Sequence, residues 1–163
     1  MRLRRWLIAV AGSVLVVAFV GLSAAGGWMY WNRVETRGAE SARAVLPQLA
    51  AKEIPQVFAY DYQTVERSLT ATYPFLTPEY RAEFQKSVNA QIIPEAKKRE
   101  VVIQANVVGV GMISAKRESA SVMVYMNRTV TDKSRQPLYD GSRLRVDFKK
   151  VGDKWLIAYI TPI

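Results

Sequence analysis

Two of the residue types that carry most protein chemistry are missing from this 163-residue sequence: it contains no cysteine and no histidine. Without cysteine there is no disulfide, no thiolate metal site and no thiol nucleophile. Without histidine the commonest general base and the commonest metal ligand are gone as well. Carboxylates remain, and Asp61 and Asp140 are the ones most suited to act as a base. Asp61 precedes a helical pattern as an N-cap would, and Asp140-Gly141 has the composition of a turn. The other acids are scattered, so no carboxylate cluster marks a metal. Gly109-Val110-Gly111 lies inside a strand pattern, where a bulge or close packing explains it better than a nucleotide loop. The expectation is a protein with no catalytic residue, no cofactor and no metal, and therefore not an enzyme.

Two groups of residues could bind. Tyr60, Tyr62, Tyr73 and Tyr80 fall near Phe84 and could line a cavity beneath a sheet that presents Val122 and Val124. The candidate lining is thus Tyr62, Tyr80, Phe84, Val122 and Val124, although aromatic residues at such spacings more often form core. Arg143, Arg145 and Lys149 alternate along one strand and form a candidate face for docking an acidic partner, against the alternative of a solvated strand face. Formal net charge is +9, but four of the basic residues (Arg2, Arg4, Arg5 and Arg33) flank one apolar block. The rest is only mildly and diffusely basic, which argues against nucleic acid.

These side chains need elements to hold them. From Val34 to about Ala51, Ala39, Ala42, Val45, Leu46 and Leu49 recur at helical spacing, and Ile54-Pro55 interrupts the pattern. A short helix is expected from Tyr62 to Leu69. Thr77-Pro78-Glu79 is a stronger helix start, with Thr as cap and Pro at the first position. It opens a stripe of Tyr80, Phe84, Val88 and Ile92 that Pro94 bends or ends. The period then changes to two. Strands are expected over 101–113, 119–131 and 142–151, the last with Leu144, Val146 and Phe148 inward and Arg143, Arg145, Asp147 and Lys149 outward. Gly152-Asp153 makes a two-residue hairpin to a strand over 154–160. Helices followed by about four antiparallel strands define an α+β domain with helices on one sheet face.

Ahead of that domain no charge interrupts the chain between Arg5 and Arg33. Leu7 to Tyr30 would rise about 36 Å as a helix, against roughly 30 Å of hydrocarbon core. Its Leu, Ile, Val and Phe residues contribute on the order of −3 to −6 kcal/mol of insertion free energy. Trp6 at one end, and Trp28, Tyr30 and Trp31 at the other, suit the two membrane interfaces. A cleaved signal with Ser23-Ala24-Ala25 at its cut is the alternative, but the apolar block outruns a signal core. The crowding of Arg2, Arg4 and Arg5 places the N-terminus in the cytoplasm. The expected layout is a cytoplasmic N-terminus over 1–6, a transmembrane anchor over 7–31 surrounded by membrane lipid, a stalk and first helix over 32–55, and an extracytoplasmic domain over 56–163. That is a single-pass protein of the inner (plasma) membrane.

Several strings, in this order, resemble the Mce-associated membrane proteins of the actinobacterial envelope, which accompany mammalian-cell-entry lipid-uptake systems. They are Tyr60-Asp61-Tyr62, Leu76-Thr77-Pro78-Glu79-Tyr80, Asn127-Arg128-Thr129, Asp140-Gly141-Ser142-Arg143-Leu144 and the ending Trp155 to Ile163. The resemblance spans nearly the whole chain. It implies a curved sheet with helices, a cone of the nuclear-transport-factor-2-like kind. It also implies a non-enzymatic accessory subunit whose partners are mammalian-cell-entry transporter subunits or their permease, with homo-oligomers compatible. A carrier or enzyme using the cone cavity, and an assembly factor like that of type IV secretion, are the competing functions.

Overall fold

The computed structural model describes the backbone of residues 2–163 and the side chains of residues 19–23 and 26–163. The chain divides into two compact units, residues 1–37 and 38–163. The first is helical, within helix α1 (Arg2–Phe58), and exposes Phe19, Leu22, Trp28, Tyr30 and Trp31. Among the described residues no helix is long and apolar enough to cross a membrane. The anchor expected over 7–31 falls mostly on residues 7–18 and 24–25, whose side chains lie outside the described residues.

In the second unit the order is β1 (Tyr60–Asp61), α2 (Val65–Thr70), a 3-10 turn (Tyr73–Phe75), α3 (Pro78–Ser87), a π-helical turn (Val88–Ile92), α4 (Ile93–Arg99), and then β2 (Val102–Ala115), β3 (Ser119–Thr131), β4 (Leu138–Val151) and β5 (Lys154–Pro162). The helices pack against one antiparallel sheet ordered β1-β2-β3-β4-β5. The fold class is therefore α+β as expected, with five strands where about four were anticipated. The additional strand, β1, is only two residues long and pairs Tyr60 with Ile103 and Asp61 with Val102.

Residues 38–58 of α1 carry Ala42, Leu46, Ala50, Ile54 and Val57 on one stripe, all buried in a single core with Val122, Val124, Met126, Leu144, Val146, Phe148 and Ile157. Ile54-Pro55 does not interrupt this helix, which contains both Pro47 and Pro55. A proline within a helix costs about 3 kcal/mol. Burying side chains the size of Leu46, Ile54 and Val57 returns roughly 1.5–3 kcal/mol each, so tertiary packing carries the helix through. Gly38 is needed near the start of this stretch: a Cβ there would lie 2.9 Å from the Arg117 Cα, too close for any side chain without movement.

Thr77 caps α3 as its sequence indicates, its Oγ1 accepting from the Tyr80 N–H at 3.4 Å with Pro78 at the first position. Pro94 neither ends the run nor forces a break. The preceding turn widens instead, and the Ile93 N–H donates to the Val88 carbonyl five residues back, which relieves the clash that a proline makes with an α-helical turn. Lys97, Lys98 and Arg99 fill the last turn of α4, and Glu100 closes it in the left-handed conformation at φ 53°.

The sheet alternates as predicted: Ala120, Val122, Val124 and Met126 of β3 and Leu144, Val146 and Phe148 of β4 face the core. Register shifts between Val107 and Gly109, and again between Met112 and Ser114, mark bulges in β2. The Gly109-Val110-Gly111 segment is thus strand beside a bulge. Among the described residues β2 has no neighbour beyond Ile103 on its outer side, so Gln104–Ala115 form an open edge without a charged residue. At the opposite edge Leu76 bridges Ile157 of β5, and the Thr77 N–H donates to the Ile157 carbonyl at 2.9 Å.

Candidate functional site

The five residues expected to line a cavity are divided between two apolar clusters. Val122 and Val124 are fully buried within the main core, where Tyr80 and Phe84 pack at its margin. Tyr62 sits in a second cluster built on Val65, Leu69, Val88, Ala96 and Val101, which Phe84 also touches. Tyr80 and Phe84 have ring centroids 6.4 Å apart, and Tyr80 lies 5.5 Å from Tyr159. Burial, with Tyr159 and Glu83 nearby, pushes the Tyr80 phenol up to about 12, so it stays neutral and a weak proton donor.

Neither aspartate adopts the role expected of it. Asp61 belongs to β1, and its Oδ1 accepts from the Gln63 N–H at 2.8 Å in a local turn, while α2 begins three residues after Tyr62 with Thr64 before it. Asp140-Gly141 is not a turn but lies within β4, near its start, where Asp140 stands opposite Arg128. Its carboxylate accepts from the Arg128 guanidinium and from Ser142 Oγ at 3.0 Å. Those hydrogen bonds hold Asp140 below the usual carboxylate range.

Arg143, Arg145 and Lys149 do share the solvent face of β4. They are not equivalent. Arg145 Nε donates to Asp147 Oδ1 at 3.0 Å, and Asp147 also accepts from Ser121, so its charge is engaged. Arg143 and Lys149 make no ion pair among the described residues. Exposed Tyr125 stands opposite Arg143 on β3 and adds an apolar surface to the same face.

Among the clefts that open on the second unit, two are walled largely by apolar side chains. One, of about 340 Å³, lies between α4 and the β1 end of the sheet, with Ile92, Ile103 and Val130 inside and Glu95 and Arg99 among its polar lining. Arg99 is already held by Asp132 at 2.9 Å, and the same contact lowers Asp132 to about 2. The other, of about 390 Å³, is walled by Val45 and Leu49 of α1, by Phe75, and by Trp155 and Leu156 of β5, with Glu53 among its lining. Glu53 is only 8% exposed, and its Oε2 has no hydrogen-bond partner. Desolvation, partly offset by neighbouring Lys52, raises its carboxyl from 4.5 to about 7. Sequence reasoning missed Glu53. Its signal is positional: three residues after Ala50 and four before Val57, it interrupts the apolar stripe of α1 with a carboxylate.

No family model matches the chain. A Mycobacterium tuberculosis protein named as an outer membrane protein is 24% identical over 158 residues, covering 97% of this chain and 99% of that protein. An uncharacterized protein of the same organism is 22% identical over 153 residues, covering 92% of this chain and 70% of the relative. Among solved structures, an IcmL-like type IV secretion system protein from Legionella pneumophila superposes with a TM-score of 0.63 at 12% identity, covering 74% of this chain and 93% of that one. VirB8 of Agrobacterium tumefaciens gives 0.54 at 12% identity, over 68% and 84%. A periplasmic fragment of TraM gives 0.56 at 11% identity, over 69% and 90%. The fold is the nuclear-transport-factor-2-like cone. In this cone the face between helices and sheet is filled with side chains, and the clefts open at its margins.

Proposed function

We propose that the protein is a non-enzymatic accessory subunit, anchored by its N-terminal apolar segment, that assembles or stabilises a mammalian-cell-entry-type lipid or sterol transport complex in the cell envelope. The observation that carries the adaptor role is the filled interior of the cone, where Leu46, Ile54, Val122, Val124, Val146, Phe148 and Ile157 pack into one buried cluster between α1 and the sheet. The N-terminal apolar run and the exposed Trp28, Tyr30 and Trp31 support an anchor whose aromatic end lies at an interface. The domain then sits outside the cytoplasm and offers partners its open β2 edge, its basic β4 face and its marginal clefts.

An assembly factor of a type IV secretion-like machine is the second reading, favoured by the likeness of the cone to an IcmL-like type IV secretion system protein and to VirB8. Affinity capture of the full-length chain from detergent-solubilised native membranes separates the two, with bound proteins identified by mass spectrometry. Recovery of mammalian-cell-entry subunits or their permease is the expected result. Recovery of secretion components instead overturns it. A stoichiometric lipid released from the purified protein would move the function to a carrier.

A further inference from the structure

A carboxylate oxygen that is buried and unpartnered at a cleft wall is costly to leave so, because the ionised form has lost water and gained nothing in return. Glu53 Oε2 is such an atom. The cleft that Glu53 helps to line is also lined by the aromatic Phe75 and Trp155 and by the aliphatic Val45 and Leu49. A carboxylate between aromatic faces is a receptor for a planar cation: guanidinium donates to the oxygen, its plane stacks on the rings, and its methylene stem lies along the aliphatic wall. The cleft of about 390 Å³ has room for one such side chain.

We infer that this cleft is a docking site for an arginine side chain of a partner polypeptide, with Glu53 as its anion and Phe75 and Trp155 as its stacking walls. The charged groups facing it are few. Lys52 neighbours Glu53 on α1, and Asp153 and Lys154 flank the mouth from the β4–β5 turn, while the Tyr73–Phe75 turn contributes none. Asp153 and Lys154 offset one another and Lys52 is not among the lining residues, so on the cleft wall itself Glu53 is the remaining charge. The adaptor role above supplies only the source of the arginine, and the test below succeeds or fails without that partner.

The test uses the full-length chain, with N-acetyl-arginine methylamide as probe and N-acetyl-citrulline methylamide as its uncharged isostere. NMR follows the Glu53 side-chain carboxyl carbon and the Trp155 indole N–H. The arginine probe is expected to shift the Trp155 resonance saturably and to lower the midpoint of Glu53 titration. Its affinity should rise about tenfold between pH 6 and pH 8 as the carboxyl ionises. Glu53→Gln should abolish that pH dependence, and Trp155→Leu, which leaves the carboxylate in place, should weaken binding at both pH values. An equal response to the citrulline compound, or an unmoved Glu53 midpoint at saturating probe, overturns the site. A Trp155 shift with phosphatidylethanolamine vesicles but none with the arginine probe overturns its occupant in favour of a lipid amine.

Discussion

At the scale of single residues the molecule is governed by which polar groups found partners. Glu53 did not, and its raised carboxyl has a direction for stability. Below pH 4.5 both folded and unfolded chains hold the proton, and the residue costs nothing. Between 4.5 and about 7 the unfolded chain loses the proton first, so stability falls as pH rises, and above about 7 the loss is complete. Its ceiling is about 3 kcal/mol. Glu53→Gln should therefore raise the thermal midpoint at pH 8, leave it nearly unchanged at pH 4, and flatten the curve between, as followed by circular dichroism of the full chain. Thr77 is the opposite case, a polar group with its partner in place; Thr77→Ala should cost about 1 kcal/mol in chemical denaturation. The Thr77 cap was legible because threonine, proline and glutamate each specify the same helix end. Asp140 was not, because Asp-Gly is turn chemistry in isolation and only the facing Arg128 makes it a strand residue.

At the scale of elements, periodicity proved reliable where one face is buried. β3 and the core face of β4 could be read directly, since alternation reflects a physical boundary between core and water. Proline misled in α1, because the sequence displays the local cost at Pro55 but not the packed stripe of Ala42, Leu46, Ala50, Ile54 and Val57 that outweighs it. Pro94 marked a real perturbation whose form, a widened turn, depends on how the flanking helices are held. Gly38 sets two element-level effects against each other. Alanine there gains about 1 kcal/mol of helix propensity, but its Cβ would press on the Arg117 backbone, and overpacking of that kind costs about 1–3 kcal/mol. Gly38→Ala should thus be neutral to destabilising by up to about 2 kcal/mol, and Gly38→Val more so, in urea unfolding. A stabilising alanine would show that α1 and the β2–β3 turn are free to separate.

At the scale of the whole molecule, the unit that begins at Gly38 takes its core from both α1 and the sheet. A fragment of residues 38–163 should therefore fold with native near-ultraviolet circular dichroism, whereas residues 59–163, stripped of the α1 stripe, should aggregate. Soluble, cooperative unfolding of the shorter piece would contradict that view of the core. The cone itself was legible from element order and family resemblance together; the arginine cleft was not, since it joins Glu53, Phe75 and Trp155 from distant parts of the chain. The two sheet margins carry a last consequence. One is covered at Ile157 of β5, where Leu76 and Thr77 lie across it, and the other, among the described residues, has an uncharged outer side without a strand partner from Gln104 to Ala115. Association by strand pairing is then directed to the β2 margin: two copies joined there across a twofold axis each use their longer free edge, and growth beyond that pair must recruit a different surface.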